Sequence, residues 1–305
     1  MLSFLIRRLV LAVLVCATVL VAAFTLTRIA GDPAIAIAGP QATAEDVAVI
    51  RKAYGFDRPI TVQFLSWVNG AAHGDLGISY LYHAPVSELI STRLPITLTL
   101  GVVGLAIALV VAIPLGIVAA MAEGSTLDRL LSLVALFGQA LPSFWFALLL
   151  IIWFGLDLHW LPIAGLDDWT GYILPGVVLA FSAIPALLRL TRGGMIDALA
   201  SDYIRTARAK GLSRAKIVLK HALRNAAMPV VSVAAVQLGF MLGGSIVIET
   251  IFSLHGVGYL AWESISKNDI PVVQAVVLLI SVMYIVLTLA ADMMNAVLDP
   301  RLRGT

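Results

Sequence analysis

Residues 203–225 read YIRTARAKGLSRAKIVLKHALRN. In a soluble protein this basic, helix-forming stretch would be unremarkable. Here it interrupts a chain of 305 residues that is 60% hydrophobic and only 12% charged, and long apolar runs flank it on both sides. Globular domains carry about one quarter charged residues. A chain this apolar cannot present a polar surface all round, so composition points to an integral membrane protein and raises the question of what the basic stretch does in water.

Six apolar runs are long enough for a bilayer crossing, which takes about 20 residues. They lie at 9–27, 96–122, 130–155, 172–190, 229–252 and 272–294. Backbone polar groups in lipid must be satisfied within the segment, so these runs are expected to be helices and the fold class all-α membrane. Pro114, Pro142, Pro175 and Pro185 fall inside them and mark candidate kinks. Arg7 and Arg8 before the first run resemble the start of a signal peptide, but a run of this length exceeds a signal core, so a retained helix is expected. The lone cysteine, Cys16, lies within that run and offers neither an intrachain disulfide nor a cysteine metal site.

Cation placement sets the orientation. Placing both termini, the 123–129 loop and the 191–228 segment on one side, with Arg189 at the adjoining end of the 172–190 run, gives that side fourteen of the 20 Lys and Arg; only Arg28, Arg51, Lys52, Arg58, Arg93 and Lys267 fall on the other. The cation-rich side is therefore expected to be cytoplasmic. On the outer side, 28–95 carries turn signals at Gly31-Asp32-Pro33 and Asp57-Arg58-Pro59, together with Tyr54, Phe56, Phe64, Trp67 and Tyr80. Those aromatics call for a folded element rather than a linker. Thr43 before Glu45-Asp46 predicts a helix start, and a second helix is expected over 60–68.

Within the opening stretch, Ser201 is a candidate N-cap for a short helix over 202–210, Gly211 its C-terminal cap, and Ser213 the cap of a second helix over 214–225, with Pro229 opening span five. Ile204 and Ala207 share one face, whereas Arg205, Arg208 and Lys210 point elsewhere. The residues alone leave two readings open. One is a basic linker lying on anionic headgroups. The other is a docking element whose small residues Thr206, Ala207 and Ala209 let a cytosolic protein approach closely.

The segment DYIRTARAKGLSRAKIVLKHALRNAAMPVV closely resembles the cytoplasmic coupling motif of ABC importer permeases, in the form found in the dipeptide, oligopeptide and nickel branch. The broad pattern is Glu-Ala-Ala, three residues, Gly, and later Ile-x-Leu-Pro. Here Arg205-Thr206-Ala207 stands for the first element, Gly211 matches, and His221-Ala222-Leu223-Arg224 stands for the last; the same replacements mark that branch. YGFDRPITVQFLSW, HGDLGIS (73–79), RLPITLTL (93–100), ETIFS (249–253), PVVQ (271–274) and DPRLR (299–303) resemble it too. The short loop LDLHWLPIAGLDDWTG (156–171) is similar to nickel-type and compact peptide members.

The resemblance implies a type I importer fold of six spans, with an outer insertion between the first two. It implies four kinds of contact: a second, homologous permease forming a heterodimer, two cytosolic ATPases, an extracytoplasmic solute-binding protein, and membrane lipid. It also implies a coupling contact made by Asp202, Tyr203, Arg205, Thr206, Ala207, Arg208, Ala209, Lys210, Gly211 and Leu212. Di- or oligopeptides are the implied cargo, with nickel, a metal chelate or glutathione as the alternative. ATP and Mg would be bound by the partner ATPases, with no cofactor in this chain and no nucleic acid among its partners. Consistent with that division, the sequence contains no G-x-x-x-x-G-K-[ST] phosphate loop and no catalytic set, so no enzyme activity is expected of it.

Polar groups at membrane depth are candidates for a translocation path: Gln139, Gln237 with Met241 on its face, and Glu249 near the outer end of span five. Gly239, Gly243, Gly244 and Ser245 offer a small-residue packing face. A stand-alone ion-coupled carrier is the competing function. Such carriers show internal repeats and midplane charges, and neither is evident here; a lipid-binding scaffold is the third reading.

Overall fold

The computed structural model describes residues 2–39 and 41–298. The predicted DPRLR segment, with Arg301 and Arg303, lies outside them. Among the described residues the elements are helices: α1 (Leu2–Ala30), α2 (Pro33–Ala38), α3 (Ala44–Ala53), α4 (Ile60–Ala72), α5 (Val86–Met121), α6 (Thr126–Ala140), α7 (Ser143–Leu150), α8 (Ile173–Ala200), α9 (Asp202–Ala209), α10 (Arg214–Lys216), α11 (Leu223–Ile251), α12 (Val257–Ser266) and α13 (Ile270–Leu298). Five helical segments are long and apolar enough to cross a membrane, six if a sharply bent pair counts as one span.

That pair is where the predicted third span differs. The run 130–155 is one apolar stretch in sequence but two helices in space, α6 and α7, the latter continuing as a π-helix over Ile151–Asp157, with a bend of 102° between them. The break falls at Leu141-Pro142. Leu141 is extended (φ −79°, ψ 129°), as the residue before a proline prefers, and Pro142 supplies no N–H to continue the ladder. Pro185 and Pro229, by contrast, sit inside α8 and α11 without ending them.

The chain divides into two compact units. The first comprises, among the described residues, those within 2–97 and 255–285. Its 28–95 segment follows the local signals closely. The Thr43 hydroxyl accepts from the Asp46 amide at 3.3 Å while the Asp46 carboxylate accepts from the Thr43 amide at 2.9 Å, a reciprocal capping box. Asp32 caps α2 and pairs with Arg51 of α3. Phe24 of α1 meets Phe64 and Trp67 of α4 at ring separations of 5.3 and 6.1 Å. The helix α12 was not anticipated. After it, Asp269, 1% exposed, gathers the 79–81 turn: its carboxylate accepts from the Ser79 hydroxyl at 2.5 Å, the Tyr80 amide at 3.0 Å and the Leu81 amide at 3.3 Å. A buried carboxylate is tolerable when donors surround it in this way.

The second unit comprises, among the described residues, 98–254 and 286–298, and its core forms around α8. Helices approach closely where glycine permits. A Cβ on Gly116 of α5 would lie 2.6 Å from Thr191 Cβ and 2.9 Å from the Leu188 carbonyl of α8. Such packing of small residues holds helices together where lipid offers no hydrophobic drive. Phe146 of α7 stacks on Phe181 of α8 at 4.2 Å.

Candidate coupling site

The opening stretch becomes a helix, a glycine turn and a second helix, all within the second unit. α8 runs on to Ala200, well past the predicted end of span four. Ser201 then turns the chain, but its hydroxyl bonds back to the Ala198 carbonyl at 2.5 Å instead of capping α9. The end of α9 is set by Gly211. Its φ is +72°, a conformation that costs an L side chain about 1–2 kcal/mol. The Gly211 amide donates to the Arg208 carbonyl at 2.9 Å, and the Leu212 amide reaches the Ala207 carbonyl at 3.3 Å. These two bonds form a complete Schellman closure, with the half-buried Leu212 folded onto the same core as Ala207. Gly211→Pro is expected to lose the first of these bonds and the required φ together, misplacing Leu212. Hydrogen exchange of 203–212 in the purified protein should accelerate at least tenfold, roughly, while the spans keep their protection.

Ser213 caps the second helix as expected, accepting from the Lys216 amide at 3.4 Å. That helix does not stop at residue 225. It runs from Arg214 to Ile251 without a break, passing through a π-helical turn at Ile217–Ala222. The wider turn stacks residues five apart, which brings Ile217 and Ala222 onto one face with Val218 beside them. All three are buried against Met195 and Ala198 of α8, Ala120 of α5, and Ile204 and Ala207 of α9. A ridge of long helices thus carries α9 on its flank.

The residues of α9 and its closing turn separate into two sets. Ile204 is fully buried and Ala207 is 7% exposed, so both face the chain's own core. Ala207, counted among the small contact residues, packs into this core. Asp202, Tyr203, Arg205, Thr206, Arg208, Ala209, Lys210 and Gly211 are exposed. Tyr203 is steadied from outside by Asn225, whose amide donates to its hydroxyl at 2.8 Å. The Arg205–Asp202 pair, 3.3 Å apart with both side chains more than 80% exposed, contributes little to stability. An eight-residue helix is too short to persist alone, so anchoring rather than propensity places α9.

A second feature gives no local sign in sequence. Asp128, at the start of α6 and 4% exposed, receives Arg192 of α8 through two parallel bonds, Nε at 2.6 Å and Nη2 at 2.7 Å, and also accepts from the Gly124 amide at 3.0 Å. This fork-to-fork pair fixes the 122–129 turn to α8 one turn before Met195 enters the α9 core.

The path candidates are dispersed. Gln139 is exposed and accepts from Arg189 Nη1 at 3.3 Å; Gln237 is half-buried; Met241 and Glu249 are 3% and 0% exposed, covered by their own chain.

Residues 112–304 match the family described as binding-protein-dependent transport system inner membrane component, and residues 1–101 match the N-terminal component of the same description. The chain belongs to this family. Glutathione transport system permease protein GsiC of Escherichia coli (strain K12) is 40% identical to it over 305 residues, 99% of each chain. The protein of the same name from Salmonella typhimurium (strain LT2) is 41% identical over the same span. Among solved structures, the inward-facing MetNI methionine ABC transporter matches 69% of this chain and 96% of its own, with a TM-score of 0.58 at 18% identity, and so shares the fold. This inner-membrane permease is therefore a multi-pass transport subunit of an ABC importer, a class that works with ATPase and binding-protein partners.

Proposed function

We propose that this permease forms half of the translocation path of an importer for short peptides, paired with a second, homologous permease in a heterodimer. Two cytosolic ATPases, which would hold the ATP and Mg, dock beneath it on the exposed face of α9. An extracytoplasmic solute-binding protein delivers cargo from above. In this reading the termini and the 191–228 segment are cytoplasmic and the chain itself carries no catalytic activity. One observation carries the coupling assignment: α9 is exposed along Arg205, Thr206, Arg208 and Ala209 while Ile204 and Ala207 pin it to α8 and α11. A push on the exposed face is thereby delivered to two spans at once. Closure of the ATPases then shifts the balance between inward- and outward-open states. Gln139, Gln237, Met241 and Glu249 are the proposed path residues; Met241 and Glu249 would be uncovered only in a state other than this one.

The cargo class rests on the relatives, whose name is that of a glutathione permease, and glutathione is itself a tripeptide. Reconstituted with its partners and its binding protein in vesicles, the importer is expected to take up radiolabelled dipeptide or glutathione on addition of ATP. Uptake of a nickel chelate with no uptake of either peptide would overturn the cargo assignment and leave the coupling assignment standing.

A further inference from the structure

In the first unit a groove of about 330 Å³ opens between α1 and α4. Val21, Phe24 and Thr25 form its α1 wall; Ile60, Thr61, Phe64 and Leu65 form its α4 wall. Phe24 is buried and Phe64 half-buried, their rings 5.3 Å apart. The other five are exposed, Val21 at 52%, Ile60 at 57% and Leu65 at 64%. Among the described residues no charged side chain lines the groove, and its polar side-chain groups are the two threonine hydroxyls. Gln63 of α4 turns elsewhere, its amide donating to the Phe56 and Arg58 carbonyls at 3.1 and 2.8 Å. Single exposed apolar side chains are ordinary on a protein surface, but several gathered along one groove mark a place that something apolar covers.

The height of the groove on α1 identifies the occupant. Its α1 wall belongs to the apolar run 9–27. Among the described side chains of α1 only Ala23 and Phe24 are buried, so the helix presents apolar surface nearly all round, as one surrounded by lipid does. Val21 lies six positions before Thr27, where that run ends, or about 9 Å along the axis. Interfacial helices carry their apolar face about 5–10 Å into the boundary between headgroups and acyl chains. The start of α4, held beside Val21, is at that depth. We propose that α4 lies in the membrane interface at this end of α1, and that the groove binds an acyl chain of a phospholipid in the same leaflet. The chain touches both walls and so clamps α4, and with it the 28–95 element, to the first span.

The test uses the complete transporter in nanodiscs, with Cys16 replaced by serine and no reactive cysteine on the partner subunits. A single cysteine at Leu65 or at Ser66 carries an environment-sensitive fluorophore. Leu65 borders the groove; Ser66 is also exposed but does not line it. The quencher is a phosphatidylcholine with a nitroxide on its acyl chain. Quenching at residue 65 is expected to exceed that at residue 66 at least about threefold. Thr25→Trp, which fills the groove from the α1 wall, is expected to bring it down to the residue 66 level. If Thr25→Trp does not assemble, Thr61→Trp fills the groove from the α4 wall and decides. Equal quenching at the two residues, or quenching at residue 65 that survives in an assembled filled variant, overturns the proposal. Blue-shifted emission at residue 65 without quenching overturns it too, because a protein partner then occupies the groove.

Discussion

Ile204→Asp is expected to abolish ATP-driven uptake while leaving the spans inserted. Ile204 is fully buried among Met195, Ala198, Ile217, Val218 and Ala222. Losing a buried isoleucine costs about 2–5 kcal/mol, and a carboxylate in its place has no cation or donor among those neighbours to receive it. The combined penalty, at least about 4 kcal/mol, exceeds what an eight-residue helix has to hold it in place. α9 should therefore leave its seat, and closure of the ATPases would no longer reach α8 and α11. In vesicles the variant should lose uptake, and ATP hydrolysis should cease to respond to the loaded binding protein. Arg205→Asp makes the informative contrast. Its side chain is 82% exposed, so α9 stays seated and any loss must come from the docking face.

The second large effect is expected at the buried fork. Asp128→Ala strands Arg192, whose side chain is 29% exposed, without its two bonds. Removing one partner leaves the other without the bonds that hold it, a loss softened by that residual exposure. Thermal unfolding of the purified protein in detergent should shift down accordingly. Arg192→Met in the same background should recover much of the loss, because no stranded charge then remains. A single variant as stable as the parent would show that the fork does not hold the 122–129 turn.

The features legible in the sequence are those with a local cause. The Thr43–Asp46 capping box, the left-handed Gly211 and the Ser213 cap each depend on residues within three or four positions. The apolar runs depend only on their own composition. What was missed depends on partners far away or on how a helix meets its neighbours. Pro142 was marked as a candidate kink, but the run does not tell a gentle kink from a bend of 102°, and Pro185 and Pro229 show that proline alone does not decide. The π-turn at Ile217–Ala222 arises because two adjacent residues and one five positions on must all reach the same core, which no period in the sequence announces. Asp128 and Arg192 are 64 residues apart. Ala207 shows a different limit. Its spacing from Ile204 already put it on the inward face, but small size suggested contact with a partner, and size does not tell which surface comes close.

The exposed face of α9, and not its inner face, is expected to meet the ATPase. With Cys16, the chain's single cysteine, replaced by serine, cysteines can be placed one at a time at Arg205, Thr206 and Ala209, and at Ala207 as the inward control. Each is then treated with a short bifunctional thiol reagent in membranes that also contain the ATPase subunits. Crosslinks to the ATPase are expected from residues 205, 206 and 209 and none from residue 207. Crosslinking from residue 207 alone, or from none of the four in an importer that still transports, would contradict it.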